Sequence, residues 1–185
     1  VLGLALAPLM ASCGLDGLLL TPRGFDATPP PRVVLVGETE GPALVTVLSP
    51  DGAVLVSVES TGQGEIELPL PVGAPGRALR VLARRGSRTT KTLVADAPVG
   101  QFTPLGRLDA RTTALAQLAL YEVLSEAGSS LASTPPTALA GLLRTLGEAP
   151  TPALEALVTF VQAALDAAPT DGSAPGLFDA LGFEG

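Results

Sequence analysis

Histidine and tryptophan are absent from this 185-residue chain, which has a single cysteine, a single methionine and a single tyrosine. Without histidine there is no Ser-His-Asp or Cys-His nucleophilic site and no imidazole ligation of a metal. One cysteine, Cys13, excludes an intrachain disulfide. With only five Phe beside the tyrosine, the core must be built from Ala, Leu and Val, and aromatic anchors for a binding hot spot are scarce. The chemistry still open is thin. Lys91, the only lysine, stands among Thr89, Thr90 and Thr92 on a strand expected to be exposed, a poor setting for a Ser-Lys pair. Glu65 and Glu67 alternate onto one strand face, expected to be solvated, where paired carboxylates would need a cleft to act on sugars. Asp166 through Asp171-Gly172-Ser173 lacks the periodic oxygens and terminal Glu of a calcium loop. No phosphate-cradling glycine loop opens a helix after a strand. No catalytic, cofactor-binding or metal-binding residues are therefore expected, and no enzyme activity.

What is present is strongly patterned in charge. Residues 13–76 carry a balance of −6, residues 77–111 one of +6 and residues 112–185 one of −7. An overall charge of −7 argues against nucleic acid as a partner, since that binding runs on phosphate neutralisation. The middle stretch, with seven Arg and Lys91, is the one feature that could attract an anion; pairing with its acidic flanks is the simpler expectation.

From Arg32 to about Asp96 short apolar runs alternate with turn signals. Val33 to Val36 is closed by Gly37; Val45 and Val47 face one way, Leu44, Thr46 and Leu48 the other. Ser49-Pro50-Asp51-Gly52 is a type I turn signal, and Thr61-Gly62-Gln63-Gly64 a second turn. Ile66, Leu68 and Leu70 alternate with polar positions, as do Leu79, Val81 and Ala83, and Thr89 to Val94 follows the Gly86-Ser87 turn. After Pro98 the period changes to that of a helix. One helix is expected from Asp109 towards Ala127, with Leu115, Leu118, Ala119, Tyr121, Val123 and Leu124 in its inner stripe. Pro135-Pro136 opens a second, with Leu139, Leu142, Leu143 and Leu146 facing inward. A third is capped by Thr151 and buries Leu154, Leu157, Val158, Val161, Ala164, Leu165 and Ala168; a short turn at Leu177–Leu181 ends the pattern. The fold class expected is α+β: an antiparallel β-sandwich of about six strands over residues 32–97, then three to four short helices over 98–185 packed on it.

The first twelve residues are uncharged and almost wholly apolar, too few to span a bilayer but of the length of a signal-peptide core. With no Met and no basic residue before them, residues 1–12 read as a signal peptide truncated at its start. Leu9-Met10-Ala11-Ser12-Cys13 resembles the bacterial lipobox, in which small residues precede a cysteine that becomes the new, acylated N-terminus. That resemblance implies lipidation of Cys13 with diacylglycerol and palmitate-type chains, and localisation in a bacterial cell envelope. Gly14 rather than Asp after the cysteine favours the outer membrane. Residues 13–31, ending in Thr28-Pro29-Pro30-Pro31, would then be a Pro-rich tether.

Residues 33–96 also resemble the transthyretin-like sandwich of carboxypeptidase regulatory-like domains, through Val45-x-Val47, Asp51-Gly52, the Thr61–Gly64 turn and Leu70-Pro71-Val72-Gly73. The aromatic residue that family places after the last glycine is missing here. The resemblance implies an accessory, non-catalytic domain. The expected function is a lipid-anchored envelope protein, its membrane partner reached through the anchor, that binds another envelope protein or a polysaccharide. The alternatives are a module for a small apolar ligand held between helices and sheet, and an enzyme with a carboxylate site.

Overall fold

The computed structural model describes residues 32–61, 63–71, 74, 77–125, 129–148 and 151–169, all within one compact unit that starts at Pro31. Cys13, the apolar run before it, the Pro-rich stretch after it and the expected turn at Leu177–Leu181 lie outside them. Among the described residues seven strands precede three helices: β1 (Val34–Glu38), β2 (Leu44–Leu48), β3 (Val54–Glu59), β4 (Glu65–Pro69), β5 (Arg77–Arg85), β6 (Arg88–Asp96), β7 (Phe102–Arg107), α1 (Ala110–Ser125), α2 (Pro136–Glu148) and α3 (Pro152–Ala167). The class is α+β, with one three-stranded sheet ordered β4-β1-β7 and one four-stranded sheet ordered β3-β2-β5-β6.

Alternation of side chains explains the sheets. Val45 and Val47 of β2 and Leu79, Val81 and Ala83 of β5 are buried on one face of the larger sheet. Leu35 of β1, Ile66 and Leu68 of β4 and Leu105 of β7 come from the smaller sheet into the same apolar cluster. Each fully buried Val or Leu there stabilises the fold by about 1.5–3 kcal/mol relative to exposure. The Ser49–Gly52 turn forms as its sequence implies, Gly52 N–H donating to the Ser49 carbonyl at 3.0 Å with Gly52 at φ +90°.

Two sheet features depart from expectation. There are seven strands rather than six, and β7, beyond Pro98, pairs parallel with β1, so the pairing is not wholly antiparallel. Gly37 does not close β1; the strand runs through it to Glu38. At Gly37 the ladder to β7 shifts register, and an added Cβ would lie 2.8 Å from the Gly106 carbonyl oxygen and 2.9 Å from Leu105 Cβ. Glycine is required there for close approach, not for a turn.

Strand directions give the sheets two ends. Arg32, the 97–101 loop, the Ser49–Ala53 turn and the starts of β3, β5 and β7 lie at the proximal end, where the described chain begins. The 39–43 loop, the 60–64 turn and the Gly86-Ser87 turn lie at the distal end.

The helices cover the half of the larger sheet formed by β5 and β6. Asp109 caps α1: its carboxylate accepts from Thr112 N–H at 2.9 Å while Thr112 Oγ1 accepts from Asp109 N–H at 2.9 Å, a reciprocal box with Thr at the third position. The helix advances along β6 toward the proximal end. Thr113 Oγ1 takes Lys91 N–H at 3.0 Å, and Ala116, Ala119 and Val123 then join Leu93 in a second cluster with Leu139 of α2. Ala110 and Ala114 meet Leu154, Val161 and Leu165 of α3 in a third. Thus α1 buries two faces lined mostly by alanine, and Leu115 and Leu118 are only partly buried. Tyr121 and Leu124, expected in the inner stripe, are exposed, because α1 has neighbours on two sides and neither side reaches them. By contrast α3 buries the side its pattern implied, with Leu154 N–H donating to Thr151 Oγ1 at 3.2 Å.

Candidate functional site

The basic middle segment resolves into individual partners. Arg107 lies 3.8 Å from the Glu40 carboxylate, and Arg111 donates to Glu155 at 3.0 Å. Arg85 donates to the Glu40 carbonyl at 3.2 Å, while Arg88 Nε donates at 3.1 Å to the carbonyl of Ala168, the residue that ends α3. Ser87 N–H donates to Pro169 O at 3.0 Å, so the β5–β6 turn closes the C-terminal end of α3, where cations are favourable. Near Arg80, the Asp51 carboxyl is held below its ordinary value, chiefly by the Ser49 hydroxyl and to a smaller extent by the Arg80 charge. The cavity beside Arg85 and Arg88 measures about 30 Å³, room for about one water and not for a phosphate.

Lys91 does not sit on an exposed face. It is 7% exposed, on the side of β6 that α1 covers, because Thr89, Lys91 and Leu93 share that side. Glu65 and Glu67 are both exposed on β4, opposite Glu38 and Val36 of β1, and neither lines a described cleft. Asp166 accepts from Gln162 Nε2 at 2.9 Å; positions 171–173 lie outside the described residues. Cys13 also lies outside them. Among the described residues no three His, Cys, Asp or Glu side chains come together as a metal-binding group.

Two open clefts lie where no motif in the chain marks a site. One, of about 260 Å³, is lined by Thr92 to Asp96 of β6, Thr103 to Leu105 of β7 and Ala140 of α2; β6 and β7 are end strands of different sheets and do not pair. Lys91 N–H points away from β5 to Thr113, so by ladder alternation Leu93 also turns its peptide group outward into this seam. The Thr103 hydroxyl oxygen is buried there without a hydrogen-bond partner. Pro104 on β7 removes one backbone donor, which blunts the edge against indiscriminate strand pairing. The other cleft, of about 300 Å³, lies between the end of α1 and the start of α2. Its Ser133 and Thr134 hydroxyls bond within their own turn, to Ser130 O at 3.0 and 2.8 Å, rather than facing a ligand.

Neither the family models nor the curated proteins searched contain a match to this chain.

Proposed function

We propose that this chain is a lipid-anchored protein of a bacterial cell envelope, held through acyl groups on Cys13, that acts without catalysis by contacting a partner protein or an envelope polysaccharide. The anchor reading rests on Leu9-Met10-Ala11-Ser12-Cys13 following an uncharged apolar run. Three acyl chains at about 0.8 kcal/mol per buried CH₂ would make such attachment effectively permanent. A histidine-free chain supports the non-catalytic reading. The observation favouring contact is the unpaired seam between β6 and β7, whose outward peptide groups and unsatisfied Thr103 hydroxyl call for a polar, hydrogen-bonding occupant. An apolar small ligand suits the same cleft less well, because it is open to solvent and lined by Thr92, Asp96 and Thr103 among its apolar residues. We read the two sheets, joined by one core, as a sandwich of the carboxypeptidase regulatory-like kind, and the outer membrane as the site of attachment.

Two measurements test this reading. Metabolic labelling with an alkyne-bearing palmitate is expected to tag the wild-type chain and leave Cys13→Ser untagged and unprocessed. A processed, membrane-bound Cys13→Ser chain would refute the anchor. A photo-crosslinking residue at Ala140 is expected to capture a discrete envelope component that the same probe at Ser57, on the uncovered half of the larger sheet, does not. Identical capture from both positions would refute contact through the seam.

A further inference from the structure

We infer that the proximal end of the domain rests on the lipid surface to which the chain is anchored, with Phe102 as its inserted side chain. This rests on the anchored reading above and adds the orientation and the contact.

Arg32, the first described residue, accepts a hydrogen bond from Gly100 N–H at 3.0 Å, so the eighteen residues that follow Cys13 join the domain beside the 97–101 loop. The same end displays apolar side chains that no part of the described fold covers. Phe102 is 71% exposed, Val99 60% and Val54 65%. Along β6, α1 advances toward this end and carries Tyr121 and Leu124 exposed in its last turns, at 70% and 59%. Tyr is enriched at membrane–water interfaces, and Phe and Leu are among the side chains that interfacial segments bury at the headgroup boundary.

What separates the two ends is the exposed apolar side chains beside their charges. The distal end is crowded with Arg84, Arg85, Arg88 and Arg107 against Glu40 and Glu65, groups that would lose hydration against lipid at high cost. The proximal end has Arg32 and Arg77 exposed beside the apolar residues, with Asp51 and Asp96 exposed there as well; the two basic side chains suit anionic headgroups. Three or four side chains bind lipid weakly from solution. Tethering through eighteen residues, however, holds the domain at high effective concentration over the surface, so weak contact suffices to orient it.

The chain contains no tryptophan, so a single one reports its own position. The full-length acylated protein carrying Phe102→Trp, and separately Leu44→Trp at the distal end, would be reconstituted into phosphatidylethanolamine–phosphatidylglycerol vesicles with brominated acyl chains. The Phe102→Trp emission is expected to shift to shorter wavelength and to be quenched at least about twofold, as for a ring some 5–10 Å into the headgroup boundary. Leu44→Trp is expected to stay unquenched. Equal quenching of the two, or none, in protein that is acylated and vesicle-bound overturns the contact while the anchor stands. A purified chain whose intact mass carries no acyl group overturns the anchor and this inference with it.

Discussion

Gly64 gives the sharpest test of how the distal end is held. It sits at φ +86°, buried in the turn between β3 and β4, with its carbonyl accepting from Thr39 N–H at 2.7 Å. A Cβ placed on it would lie 2.2 Å from the Thr39 carbonyl oxygen, so the substitution Gly64→Ala must push the 39–43 loop away. Left-handed backbone costs alanine about 1–2 kcal/mol. Separating Thr39 from Gly64 leaves buried peptide groups unpaired at about 1–3 kcal/mol. The stiffer unfolded chain returns about 0.4–1 kcal/mol. The net loss is about 2–4 kcal/mol, a large part of a stability of about 5–15. Gly100→Ala is the control: its φ is +80°, but nothing lies within 4 Å of the added Cβ. Backbone cost and unfolded-state gain are then shared, and the difference isolates the clash. Urea unfolding of both variants should put the Gly64→Ala midpoint about 1 M or more below that of Gly100→Ala. If the two midpoints coincide, the Thr39 carbonyl is not a constraint and the reasoning fails.

Two further outcomes follow from single contacts. Thr113→Val keeps the shape of a fully buried side chain but leaves Lys91 N–H without its acceptor, at about 1–3 kcal/mol, whereas Thr113→Ser keeps the bond and loses a methyl worth about 0.8 kcal/mol. Amide exchange at Lys91 should quicken in the valine variant alone, and equal exchange in both would contradict the docking of α1 through this hydroxyl. Asp51 has its folded-state pKa lowered, so the stability it contributes is present above the ordinary carboxylate value of 3.8 and is lost as pH falls through the folded one. Asp51→Asn should therefore lower stability slightly at neutral pH and flatten the acid limb below about pH 4. An unchanged acid limb would show that the Ser49 hydroxyl does not favour the ionised carboxylate.

How much of this could be read from the residues depends on whether one neighbour or several decide an element. The third helix was fully legible, since Thr151, Pro152 and Glu155 mark its start and its large aliphatic side chains lie on one side against a single partner surface. The first helix was not. Ala119 and Val123 are buried as expected, but most of its buried positions (Ala110, Ala114, Ala116 and Ala119) are alanines, which differ little in hydrophobicity from solvent-facing positions and serve two neighbours at once. Small residues are what let a helix lie close to both a strand and another helix, so the feature that makes the packing possible also hides it from periodicity. Strand β7 was missed for a related reason. Phe-Thr-Pro-Leu-Gly-Arg holds a Pro and a Gly and reads as loop, yet a strand at a sheet edge tolerates Pro because its outer donors have no ladder to complete. Without β7 the seam could not be anticipated, since it is lined by the end strands of two different sheets.

Charge was legible in a different sense. The basic segment lies between two acidic ones in the chain, and the fold brings Arg107 to Glu40 of the first and Arg111 to Glu155 of the third. Both pairs are exposed, and such contacts contribute about 0–1 kcal/mol each, too little to hold the fold. Their effect is to gather charge at the end where β1 meets β7 and α1 meets α3. The opposite end exposes Val54, Val99 and Phe102 beside Arg32, Arg77, Asp51 and Asp96. Pairing of the basic segment with its acidic flanks therefore accounts for the charge at one end, and it is the exposed Phe102, Val99 and Val54, not a lack of charge, that set the other end apart.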